Sequence, residues 1–63
     1  MDEKILNIRE AAELTRLTVN TLYAYTARRK IPFIKLGAKV LFRRSDLEKW
    51  IDQHRVEPIG FQI

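Results

Sequence analysis

The chain has 63 residues, a net charge of +4, no cysteine and a single histidine, His54. That length supports one small core with roughly 60 % of the unfolded surface buried, which leaves little room for an enclosed substrate cavity and argues against an autonomous enzyme. A disulfide framework and a Cys/His zinc site are both out of reach, so no metal or cofactor is expected. No apolar run approaches the ~20 residues that span a bilayer, and Met1-Asp2-Glu3-Lys4 does not open a leader of basic then apolar residues, so the chain reads as cytosolic with no membrane partner.

In chain order, Asn7-Ile8-Arg9-Glu10 has the form of a capping box and predicts a helix start. Ile8, Ala11, Ala12 and Leu14 give it a small-residue apolar face, and Thr15-Arg16 ends the pattern within two turns. Thr18 is placed to cap a second helix from about Val19 to Arg28, with Val19, Leu22, Tyr23 and Thr26 recurring at the spacings of an inward face. Two helices separated by three or four residues form a helix-turn-helix pattern, whose second helix lies in a major groove.

Pro32 closes the helical region and pushes Ile31 toward extended backbone. Phe33-Ile34-Lys35-Leu36 and Val40-Leu41-Phe42-Arg43 flank Gly37-Ala38-Lys39, which predicts a β-hairpin with a basic tip. Ser45-Asp46-Leu47-Glu48 reads as a second capping box, and Leu47, Trp50, Ile51 and His54 as the stripe of a third helix that closes the core. Pro58 and Gly60 are expected to stop that helix. The fold class is therefore α+β, a small winged helix-turn-helix in the order helix-helix-hairpin-helix over residues 1–55, with a C-terminal tail over 56–63.

Charge is distributed unevenly along this frame. Residues 1–14 and 45–63 each sum to −2, whereas Arg16, Arg28, Arg29, Lys30, Lys35, Lys39, Arg43 and Arg44 give +8 with no acid between Glu13 and Asp46. A surface made only for solubility intersperses both signs, and the basic residues span helix, hairpin and turn rather than one amphipathic helix. A polyanion, and among polyanions duplex nucleic acid, is the natural partner. Duplex RNA hides its major groove from a helix, and few exposed stacking aromatics are expected, so RNA is the weaker partner.

With Val19, Leu22, Tyr23 and Thr26 inward, Asn20, Thr21, Ala24, Tyr25 and Arg28 are left for the groove or its rim. Asn20 can pair bidentately with adenine, Arg28 with guanine or a phosphate, and the methyls of Thr21 and Ala24 can touch a thymine methyl. Asn20 could equally bond backbone in the first turn, and Thr18 is first of all a cap that could also reach a phosphate. Of the two tyrosines, Tyr23 is expected in the core and Tyr25 on phosphate. Arg29, Lys30, Lys35, Lys39, Arg43 and Arg44 belong to the helix end, the wing and its exit, where phosphate contacts set register without reading sequence. Arg43 and Arg44 have a competing role as ion-pair partners of the carboxylates of the third helix. Trp50 is read as core, and His54 with Asp52 or Glu57 lacks a nucleophile and a pocket, so no catalytic residue is assigned.

Leu6-Asn7-Ile8-Arg9-Glu10-Ala11-Ala12-Glu13-Leu14, Thr18-Val19-Asn20-Thr21-Leu22-Tyr23, Ile31-Pro32-Phe33-Ile34-Lys35-Leu36-Gly37 and Arg43-Arg44-Ser45-Asp46-Leu47-Glu48-Lys49-Trp50 together resemble the small MerR-type DNA-binding domains of the phage and transposon excisionase family, related to the AlpA regulators. The resemblance spans roughly residues 5–55. It implies a winged helix-turn-helix that binds double-stranded DNA at the attachment site of a mobile element, orders or bends it, and steers an integrase toward excision, or represses transcription nearby. Members often carry an arginine where this chain has Ala24, a glycine where it has Arg29, and two basic residues after the wing glycine where it has Ala38-Lys39. The expected function is that of a non-enzymatic excisionase, with an AlpA-like transcriptional regulator as the alternative on the same surface. A further alternative is an interaction module in which the tail from Ile59 to Ile63 docks on an integrase or on a second copy. Several copies on repeated DNA sites are compatible with so small a reader, although no helix of coiled-coil length is present.

Overall fold

Asn7 opens the first helix as its sequence requires: its Oδ1 accepts the Glu10 N–H at 2.8 Å, and Glu10 Oε1 accepts the Asn7 N–H at 2.9 Å. The computed structural model describes residues 4–56. In chain order its elements are β1 (Ile5–Leu6), α1 (Ile8–Thr15), α2 (Val19–Ala27), β2 (Ile34–Leu36), β3 (Lys39–Arg43) and α3 (Arg44–Gln53). This is the expected small α+β winged helix-turn-helix, with one strand more than the sequence indicated.

That strand, β1, lies antiparallel to β3 with Leu6 opposite Phe42, and the sheet order is β1-β3-β2. Two residues are too few to show a period, so only the partner strand reveals them as a strand. The pairing is continued by the Arg44 N–H, which donates to the Lys4 carbonyl at 2.9 Å. Together these contacts fix the base of the wing beside the entrance of α1.

The core takes one residue from nearly every element. Leu6, Ala11, Leu22, Ile31, Phe42 and Leu47 are buried together, with Ile8, Leu14, Leu17, Tyr25, Val40 and Trp50 packed around them. Ile31 lies between the helical region and the wing, so Pro32 follows a buried anchor. Only β2 contributes no buried residue.

Several expectations for α3 and α2 are corrected. The predicted capping box Ser45–Glu48 does not form, because β3 runs directly into α3; Arg43 is the N-cap, without a side-chain cap, and Ser45 already lies inside the helix. Asp46 lies in the first turn, where the helix dipole favours an anion. The stripe of α3 reaches the core only through Leu47 and Trp50, while Ile51 is 39 % exposed and His54 is exposed as well. The helix ends at Gln53. Pro58, Gly60 and the tail from Ile59 to Ile63 lie outside the described residues. On α2, Leu22 and Thr26 are buried as expected, but Tyr23 is 47 % exposed and Tyr25 packs inward in its place.

Candidate nucleic-acid interface

Three residues, Arg16-Leu17-Thr18, turn the chain from α1 into α2. Arg16 adopts a left-handed conformation (φ 65°) with its N–H on the Ala12 carbonyl, and Leu17 packs against the core. Thr15 supports the turn: its hydroxyl donates to the Ala11 carbonyl at 2.8 Å and accepts the Leu17 N–H at 3.3 Å. Thr18 then caps α2, accepting the Thr21 N–H at 3.1 Å and donating to Thr21 Oγ1 at 2.9 Å. One hydroxyl proton of the pair is thus engaged between the two side chains, and the other is left for a ligand.

The far end of α2 closes as a Schellman motif. The Arg29 N–H donates to the Thr26 carbonyl at 3.0 Å, and the Lys30 N–H to the Tyr25 carbonyl at 2.8 Å. The geometry needs a left-handed residue just past the cap, and Arg29 supplies it with φ 56°. Tertiary contacts hold this end in place. Trp50 Nε1 donates to the Lys30 carbonyl at 2.9 Å, and its ring meets Tyr25 edge-on with centroids 6.1 Å apart. The His54 ring also lies against Trp50, tilted by 53° with centroids 4.6 Å apart, and its Nδ1 is 2.8 Å from the Trp50 carbonyl. The exit of α2, with Arg28, Arg29 and Lys30, is therefore pinned to α3.

Between these ends, α2 turns Asn20, Tyr23, Ala24 and Ala27 to solvent, at spacings of three and four, with Arg28 beside them. The Asn20 amide makes no hydrogen bond to any described residue, so the backbone-bonding role is not the one it plays. Two members of this face, Tyr23 and Ala27, escaped the sequence reading. Tyr23 was counted as apolar at an inward spacing, and Ala27 carried no chemical signal. The inward place fell to Tyr25 because Trp50 offers it an aromatic partner twenty-five residues along the chain.

The wing turns through Gly37 and Ala38, with Leu36 opposite Lys39 and Lys35 opposite Val40. Gly37 has φ +60° while Ala38 does not lie in the positive region, the pattern of a II′ turn. Alternation along the strands places Lys35 and Lys39 on opposite faces of the hairpin, so its cations straddle the wing rather than sharing one side. Among the described residues, Arg16, Arg28, Arg29, Lys30, Lys35 and Lys39 have no ion pair, whereas Arg44 Nε is bound to Glu48 Oε2 at 3.0 Å. Both partners of that pair are about half exposed, so it contributes only ~0–1 kcal/mol, and it occupies one cation of the basic block.

The arrangement offers an amide, a phenol, a hydroxyl and small methyls on one helix face, bracketed by unpaired cations. No cluster of metal-ligating side chains and no helix long and apolar enough to cross a membrane occurs among the described residues. No curated protein and no solved structure gives a match. Residues 5–55, most of the chain and every helix and strand described above, match a helix-turn-helix domain family, and the chain belongs to that family, which includes excisionase- and AlpA-like proteins.

Proposed function

We propose that the chain is a non-enzymatic, sequence-specific binder of double-stranded DNA that acts as an excisionase, a recombination directionality factor ordering attachment-site DNA for an integrase in the cytoplasm of a cell carrying the mobile element. The supporting observation is the solvent face of α2 in a fold of the helix-turn-helix family: its Asn20 amide lies between cations at both helix ends, and neither the amide nor those cations has a side-chain partner among the described residues. Asn20, Thr21, Ala24 and Arg28 read base edges, joined by Tyr23 and Ala27 on the same face. Arg29, Lys30, Lys35, Lys39 and Arg43 hold phosphates and set the register. Thr18, Tyr25 and Arg44 act chiefly from within, as cap, packing ring and ion-pair partner.

With five or six phosphates neutralised, the log–log dependence of affinity on salt has a slope near about −5. Footprinting on the DNA flanking the gene tests the binding, and a flat salt response contradicts it. Excision in vitro with the cognate integrase tests the role: recombination that proceeds equally without this protein leaves the MerR-like, AlpA-type regulator as the reading on the same surface. Self-association on repeated sites, and recruitment of the integrase through residues 56–63, are tested by deleting that tail and measuring cooperativity.

A further inference from the structure

Two non-glycine residues among those described have a positive φ, Arg16 at 65° and Arg29 at 56°. Both follow the last turn of a helix of the helix-turn-helix, a position that glycine fills without strain and an L side chain does not. Both are exposed, and neither guanidinium has a hydrogen bond or ion pair to any described residue. No polar side-chain contact to a described residue therefore offsets the strained backbone. The same residue type occupies both places.

Their placement suggests what the charge serves. Arg16 lies two residues ahead of the cap of α2 and Arg29 just past its end. The nine residues of α2 extend about 13 Å, close to the ~12 Å width of a B-DNA major groove. In helix-turn-helix docking the first helix crosses the phosphate backbone. The carbonyls at a helix C-terminus carry partial negative charge and would repel phosphates there unless a cation stood beside them.

We propose that Arg16 is a DNA-phosphate contact at the entrance of α2, matched by Arg29 at its exit, and that arginine stands at both left-handed positions because the two charges grip the backbones on either side of the groove. The inference rests on the DNA-binding reading and adds to it a residue at the turn, together with an opposition between fold stability and affinity.

The test is Arg16→Gly and Arg29→Gly in the full chain, with Arg16→Lys as the charge-retaining variant, measured by urea unfolding and by binding to a short mixed-sequence DNA duplex across a salt series. Each glycine variant is expected to unfold at a higher urea midpoint than wild type. Each should also bind DNA about tenfold more weakly, with a salt slope shallower by about 0.9. Arg16→Lys should keep the wild-type slope and gain no stability. Wild-type affinity and slope in Arg16→Gly would overturn the proposal. So would a lowered midpoint or failure to fold, since the guanidinium would then serve the fold. A wild-type chain that binds no duplex at low salt would instead defeat the DNA-binding reading as a whole.

Discussion

The helix pair and the wing are built on different terms. Each helix of the pair sends a fully buried residue into the core, Ala11 from α1 and Leu22 from α2, and each begins at a side-chain cap. The outer strand of the wing sends none: β2 is held through its pairing with β3, and Leu36 near its tip is 61 % exposed. Under the proposed function the difference corresponds to a division of labour. Reading base edges demands side chains fixed to within a fraction of an ångström, which a helix locked to the core provides. Holding phosphates tolerates displacement, which suits cations on a peripheral hairpin.

The comparison can be broken most decisively in the core. Leu22→Ala empties a fully buried site under α2 and is expected to cost about 3 kcal/mol, most of the stability of so small a domain. Leu36→Ala in the wing should stay within about 0.5 kcal/mol of wild type. Equal losses in the two urea melts would show that the wing is as integral as the helices. Asn20→Ala comes next: discrimination at one base pair should fall by about 1–3 kcal/mol with the melt unchanged, measured by competition between the footprinted site and its single-base variants.

Trp50→Phe sharpens the tie between α3 and the exit of α2. It keeps an aromatic ring near Tyr25 but removes the bond to the Lys30 carbonyl, and about 1 kcal/mol of stability should be lost in thermal unfolding. The smallest effect is expected from Lys39→Ala, which should weaken binding to all sequences alike and reduce the salt slope by about 0.9. A change of sequence preference on that substitution would give the wing a reading role and erase the contrast.

Much of this molecule is legible locally because its devices are local. Asn7 with Glu10, Thr18 before Val19, and Gly37 in the hairpin each act within three or four residues, and each does what its spacing predicted. The inward face of α2 was only half legible: Leu22 and Thr26 hold to it, but a tyrosine suits core and surface alike. Period alone could not choose between Tyr23 and Tyr25. The failed capping box at Ser45 has a similar origin, since pairing of β3 with β1 carries the strand up to Arg43 and leaves no loop in which a cap could stand. Arg16 and Arg29 were visible as charges, but their left-handed backbone was not, because arginine carries no mark of it.

Composition, capping signals and the acid-free block by themselves determined a one-core helix-turn-helix with a basic ribbon, because caps, turns and net charge depend on near neighbours and on residue type. The tertiary structure alone decided which tyrosine faces solvent and that Trp50 fastens the exit of α2. Those outcomes depend on partners far along the chain, and a side chain that two environments would accept is placed only by the neighbour that meets it.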